Sequence, residues 1–275
     1  MKTAAKLKGT KRLFIKLGSC SRTLGFIMNR TFGELREPEE RALDPLAGGI
    51  IQQGYQCGML WGASLGAGAE AYRRCNSNGK APALAMLATK QLMASFQARA
   101  KSPDCFDITR CDWESASSIT GYFISGRVVR CYKLLAQWAP EAIETATEAL
   151  SANQEACPSD CRSCASEVVK RMGGSDDQAA MVAGFAGGLG LSGNACGALA
   201  AAIWFRTLQL IHEDPEKKYF FHPDAKEILE RFYKTTDYEI LCTTITGKSF
   251  SNPEEHSEFL TGGGCGKLLE TLVRN

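Results

Sequence analysis

The chain has almost no net charge and very little histidine. Its 32 lysines and arginines are nearly balanced by 30 acidic residues, and the two signs are mixed along most of the 275 residues. Nucleic-acid-binding domains usually carry a basic patch or stripe, so this balance gives a nucleic-acid role little support. The histidines are His212, His222 and His256. Spread apart in the second half, they offer few imidazoles for metal binding or for acid–base catalysis.

A long apolar run is also missing. A membrane-spanning helix needs roughly 20 mostly apolar residues, and no segment has them. The N-terminus lacks the apolar core of a secretory signal, so we expect a cytoplasmic protein. This end of the chain is instead basic, with Lys2, Lys6, Lys8, Lys11, Arg12 and Lys16. A solvated leader accounts for these charges, and a peripheral contact with an anionic membrane or an acidic partner is the alternative.

Cysteine, by contrast, is abundant. The chain contains 12 cysteines, and thiols in the cytoplasm are normally kept reduced. A large cysteine count in that compartment indicates metal binding or redox chemistry before structural disulfides. A disulfide framework becomes the alternative if a leader sequence has been removed.

Eight of the cysteines form two sets of four in the same order. The two sets are Cys20, Cys57, Cys105 and Cys131, and Cys164, Cys196, Cys242 and Cys265. Short strings repeat around them: a Gly-Gly pair precedes a Cys-Gly step by the same offset in residues 48–58 and 187–197, and a Cys-x-x-Ile-Thr string occurs at 105–109 and 242–246. Self-similarity at about half the chain length predicts a tandem duplication, with residues 1–150 and 151–275 as the two copies.

The residue pattern predicts an all-α fold of two pseudo-repeated helical modules packed together. Long stretches are rich in Ala, Leu and Met with few β-branched residues, and Pro82 suits the first turn of a helix. We predict helices at 57–74, 82–100, 121–138, 164–172, 178–185, 196–211 and 225–233. The glycines before Cys196 allow a sharp turn and place this cysteine at a helix N-terminus, where the helix dipole and free N–H groups favour a thiolate.

These motifs resemble the C_GCAxxG_C_C redox-active protein family, which is named for one cysteine, a Gly-Cys-Ala-like segment with a following glycine, and two further cysteines. In the second half the matching positions are Cys164, residues 187–199, Cys242 and Cys265. The first half is a degenerate copy. Gln56 and Ala195 stand where the motif has its first glycine. The iron–sulfur domain of split-Soret cytochrome c is similar to each unit, although the chain has no Cys-x-x-Cys-His haem motif.

The resemblance implies a redox protein that binds one or two cysteine-ligated iron–sulfur clusters and transfers electrons. The second set would supply ligands, and the first set would be a second or a vestigial site. Four thiolates complete a 2Fe–2S cluster, which we favour, or a 4Fe–4S cluster. Zinc sites usually show Cys-x-x-Cys pairs, which the two sets lack. The alternative is a metal-free thiol–disulfide or sulfur-carrier protein. We expect a redox partner protein, and a homodimer is compatible with the sequence.

Four cysteines fall outside the two sets. Cys157 and Cys161 lie in a compact run before the second set and are interpreted as an extra redox pair, as alternative ligands or as loop residues. Cys111 follows the third cysteine of the first set and is an alternative ligand to it. Cys75, near the end of a predicted helix, is interpreted as a buried or idle thiol.

Overall fold

The structure is a computed structural model that describes residues 9–75, 79–155 and 157–274. Over these residues the chain forms α-helices, two short 3-10 turns and two isolated β-bridges, and no strand. This result confirms the predicted all-α class. In the first half the helices are α1 (Thr10–Leu17), α2 (Cys20–Phe32), α3 (Glu37–Arg41), α4 (Gly58–Cys75), α5 (Ala81–Ala100), α6 (Cys105–Thr109), α7 (Ala116–Ile124) and α8 (Val128–Asn153). In the second half they are α9 (Cys164–Arg171), α10 (Asp176–Met181), α11 (Gly197–Glu213), α12 (Pro223–Thr235), α13 (Cys242–Thr246), α14 (Pro253–Thr261) and α15 (Gly266–Leu272).

Most of the predicted helices are confirmed. The ranges 57–74, 82–100, 164–172, 196–211 and 225–233 correspond to α4, α5, α9, α11 and α12. The range 178–185 is α10 followed by a 3-10 turn at Ala183–Phe185. The single helix at 121–138 is wrong, because α7 ends at Ile124 and α8 begins at Val128. Gly126 lies between them with a φ of 71°, a left-handed conformation that interrupts a right-handed helix.

The cysteine unit of each half begins with a serine-capped helix. The hydroxyl of Ser19 accepts a hydrogen bond from the Arg22 N–H at the start of α2, and Ser163 accepts from the Ser166 N–H at the start of α9. Such a cap satisfies one of the free N–H groups of a helix N-terminus. A short helix, a 3-10 turn and a long buried helix follow in both halves. The order of elements therefore repeats together with the cysteines.

The two halves are in close contact. Helix α4 packs against α2 and α5 and also against α10 of the second half. A Cβ atom on Gly68 of α4 would lie 2.3 Å from the Met181 carbonyl oxygen, so this approach requires glycine. Across the same boundary, the indole N–H of Trp204 donates to the Glu39 carbonyl at 3.0 Å. Buried side chains from both halves form one continuous hydrophobic core.

The basic N-terminal segment is described in part. Lys11, Arg12 and Lys16 lie on α1, while Lys2, Lys6 and Lys8 fall outside the described residues. Helix α1 packs against α8 and α2. Of the helices that the structure describes, none combines the length and the apolarity that crossing a membrane requires.

Candidate cysteine centres

The first set of cysteines lines one cavity, which we call the first centre. Its thiols are at the start of α2, directly before α4, at the start of α6 and in the first turn of α8. All four contribute to the wall of a cavity of about 450 Å³. Residues separated by tens of positions in the sequence therefore meet in space, at Cys20, Cys57, Cys105 and Cys131.

The second set forms an equivalent second centre. Its thiols are at the start of α9, at the N-cap of α11, at the start of α13 and at the N-cap of α15. They line a much smaller cavity, of about 10 Å³, together with Phe250, His256 and Phe259. A cavity of that size has room for about one water molecule. The second centre is thus closed around its four thiols, at Cys164, Cys196, Cys242 and Cys265.

Paired backbone hydrogen bonds hold the second and third cysteines of each set together. In the first centre, Cys57 N donates to Pro103 O and Cys105 N donates to Tyr55 O, both at 2.7 Å. In the second centre the same two bonds run from Cys196 N to Ile240 O at 2.9 Å and from Cys242 N to Asn194 O at 2.7 Å. Each pair of hydrogen bonds forms one of the two isolated β-bridges, and we call such a pair a backbone clasp. They explain how thiols on separate helices converge without a compact Cys-x-x-Cys motif.

A run of left-handed residues precedes each clasp. All five residues at 48–52 have positive φ, between 49° and 81°, and so do all five at 187–191, between 61° and 76°. Left-handed residues normally occur singly. The Gly48 N–H helps to lower the pKa of the Cys20 thiol, and the Gly187 N–H opposes the rise in the pKa of the Cys164 thiol. Each run therefore places a backbone donor on the leading cysteine of its set.

Burial dominates the protonation of these thiols. It raises the pKa of Cys131 to about 11 and that of Cys265 to about 12. Burial also raises the pKa of the Cys196 thiol, although the N–H groups in the first turn of α11 oppose this rise. The exception is Cys20, whose pKa is lowered because the Cys57 thiol donates a hydrogen bond to its sulfur. Without a bound cation, most of these groups are thiols at neutral pH.

Two aromatic side chains of the first centre direct polar hydrogens at its sulfur atoms. The Tyr122 hydroxyl donates to the Cys131 sulfur at 3.2 Å. The indole N–H of Trp113 is buried beside Cys105 and has no partner of good geometry among the described residues. Both side chains were missed in the sequence, where neither follows the cysteine motif. The second centre has the exposed Glu258 at the position that corresponds to Tyr122.

Gln56 connects the two centres. This buried residue directly precedes Cys57, and its amide Nε2 donates to the Gly188 carbonyl at 3.4 Å. Gly188 lines the cavity of the second centre. The residue that departs from the motif in the first half is therefore the one that reaches the glycine turn of the second half.

Two kinds of metal group take four thiolate ligands, a single zinc ion and an iron–sulfur cluster. Among the described residues, no three or more His, Cys, Asp or Glu side chains are close enough to hold a single metal ion. As placed here, the four thiols of a set do not surround one position for a single ion. An iron–sulfur cluster takes its thiolates on two or four separate irons, so its ligands do not need to meet at one point. The first centre has the room for a cluster, whereas the second has the same donors in a closed cavity.

The remaining cysteines lie outside both cavities. Cys111 is buried, accepts a weak hydrogen bond from the Ser118 hydroxyl at 3.8 Å, and does not line the first cavity. The other three cysteines, Cys75, Cys157 and Cys161, are all buried. Burial is the largest cause that raises the pKa of the Cys157 thiol, and the neighbouring Cys75 and Cys161 raise it further. Cys75 is therefore buried as predicted.

The family model described as "Putative redox-active protein (C_GCAxxG_C_C)" matches the chain twice, over residues 19–173 and 157–274. One match falls on each set of cysteines, in agreement with a tandem duplication. No curated protein and no solved structure shows a significant match. The chain belongs to the C_GCAxxG_C_C family of redox-active proteins and carries two copies of its cysteine motif.

Proposed function

We propose that this protein binds cysteine-ligated iron–sulfur clusters, with 2Fe–2S favoured, and that it transfers electrons. One observation carries the proposal: in both halves, four thiols from four separate elements line a single cavity. Soft thiolate ligands select iron–sulfur clusters over hard cations. A ring of four such residues, repeated twice, is the donor set that a cluster requires.

The chain's own residues have defined roles in such a site. The four cysteines of each set would hold the cluster, and they lose their protons when they bind metal. N–H groups near the sulfurs, such as those of Gly48 and Gly187, stabilise negative charge on the ligands and so tune the reduction potential. When bound, the cluster supplies reversible one-electron chemistry.

The two halves would each carry one centre, with residues 1–150 as the first module and 151–275 as the second. Contact between the halves through Gln56 and Gly188 supports electron exchange between the centres. We also propose a separate redox partner protein. All 12 cysteines are unpaired, which supports a reducing compartment such as the cytoplasm.

A metal-free dithiol function is the second candidate, and the Cys20–Cys57 pair favours it. The hydrogen bond between these two thiols lowers the pKa of Cys20 and raises that of Cys57. Two thiols in hydrogen-bond contact are the arrangement used in thiol–disulfide exchange. No equivalent hydrogen bond between thiols lowers the pKa of Cys164, which is raised.

Serine substitution separates the two candidates. We expect Cys105→Ser to remove the iron of the first centre and Cys242→Ser that of the second, each on protein purified without oxygen. Cys75→Ser, a buried cysteine outside both cavities, is the matched control and should leave the iron content unchanged. A dithiol protein would instead show no iron, and only Cys20→Ser or Cys57→Ser would change its oxidisable thiol count.

A further inference from the structure

The two cysteine cavities differ in a way that the shared motif does not explain. The first measures about 450 Å³ and the second about 10 Å³. Pockets for small organic ligands range from about 300 to 1,000 Å³. The first cavity therefore has the size of a ligand pocket, whereas the second encloses its thiols and little else.

Aromatic side chains from outside the cysteine motif build the wall of the first cavity. Phe14 comes from α1, and Phe220 and Phe221 come from the segment between α11 and α12 of the second half. Together with these, the aromatic lining comprises Trp113, Tyr122, Phe123 and Tyr132. No charged side chain is among the described residues that line it. Such a wall favours a neutral, apolar molecule, because a charged one would lose its hydration without a partner.

The mouth of the cavity is apolar as well. Phe123 is 56% exposed and Phe221 is 65% exposed, although both also line the cavity. Large hydrophobic side chains left in water at the rim of a pocket mark a binding site.

We propose that the first centre is a binding site for a small, neutral aromatic molecule. The molecule lies between the aromatic wall and the cysteines, and the second centre binds none. Binding requires only the cavity, whereas a role for the molecule as an electron acceptor rests on the proposed function above.

A neutral apolar fluorophore, N-phenyl-1-naphthylamine, tests this site in the full chain. We expect saturable fluorescence enhancement in both the iron-loaded and the iron-free protein. Phe123→Ala and Phe221→Ala should each weaken the Kd about fivefold, the effect of removing part of the apolar contact. Both side chains are more than half exposed, so these variants keep the fold. Val128→Trp, which adds bulk to the lining, should abolish binding.

Two control variants keep the test specific. Ile124→Ala changes the 83% exposed neighbour of Phe123, which does not line the cavity. Phe259→Ala changes the residue of the second centre that corresponds to Phe123. Neither should alter the Kd. The proposal would be overturned if these controls weakened binding as much as Phe123→Ala does. It would also be overturned if the protein did not bind the fluorophore at all.

Iron loading separates this proposal from the proposed function. A fluorophore that binds only the iron-free protein shows that the cavity is merely the space of the cluster, and the proposal fails. If the protein takes up no iron at all and still binds the fluorophore through Phe123 and Phe221, the ligand site is supported. In that case the proposed iron–sulfur function fails and the ligand site does not.

Discussion

At the scale of single residues, backbone conformation places the thiols more than side-chain chemistry does. A Cβ atom on Gly188 would lie 2.4 Å from Asn194 O, inside the turn that leads to Cys196. The sequence predicted a sharp glycine turn at this point. It did not predict that Leu189 and Leu191 share the left-handed conformation, because β- and γ-branched or bulky residues rarely adopt it alone.

We expect Gly188→Ala to destabilise the fold strongly. Gly188 has a φ of 76°, and the added Cβ would meet backbone atoms that cannot move aside. The matched control is Gly247→Ala, at a φ of 65° with nothing within 4 Å of the added Cβ. The control should lower the free energy of unfolding by only about 1–2 kcal/mol, because of left-handed strain. Gly188→Ala should lower it clearly more. Denaturant unfolding of both variants measures the difference, and equal losses would contradict the steric explanation.

Tyr122 should tune the first centre alone. We expect Tyr122→Phe to make its reduction potential more negative by tens of millivolts, because one hydrogen bond to the Cys131 sulfur is worth roughly 1 kcal/mol. The second centre, with exposed Glu258 at that position, serves as the internal control. Redox titration of the iron-loaded variant checks this, and an equal shift in both centres would point to a general structural effect.

At the scale of elements, the sequence predicted most of the long helices, although it misplaced α8 and did not predict α2. Helices α4, α5, α9, α11 and α12 have continuous patterns of helix-forming residues. The five-residue helices α6 and α13 have too few residues for such a pattern. They exist because the backbone clasps hold Cys105 and Cys242 at their first residues. Pairing between distant segments is a tertiary effect, so local propensity does not reveal it.

The start of α12 predicts a pH dependence of stability. Nδ1 of His222 accepts from the Ala225 N–H, and Nε2 lies 2.9 Å from the Thr207 hydroxyl. Burial lowers the pKa of His222, and the positive charges of Arg206 and Lys217 lower it further. The nearby Asp224 carboxylate opposes this shift. The unfolded state therefore binds more protons, and stability falls as the pH drops below about 6.5.

We expect His222→Asn to remove that component of the pH dependence. Asparagine keeps an acceptor for the cap but does not titrate. Urea unfolding of both proteins at pH 7.5 and 5.5 should show that the variant loses less free energy of unfolding than the unchanged protein when the pH falls. The same loss in both proteins would place the pH sensitivity elsewhere.

At the scale of the whole molecule, the duplication has produced two unequal centres in one core. The cysteine order alone indicated both sets, and the structure brings each set together. Part of the wall of the larger cavity comes from Phe14, which precedes the first motif, and from Phe220 and Phe221, which belong to the second half. No spacing rule connects these residues to the cysteines, so the open first centre was not predictable.

Iron and acid-labile sulfide per chain, measured with a visible spectrum on protein purified without oxygen, test the central claim most directly. The proposed function predicts two irons and two sulfides for each occupied 2Fe–2S centre, with a thiolate-to-iron absorption band that bleaches on reduction. Colourless, iron-free protein whose free-thiol count falls on oxidation would contradict it and favour the dithiol function.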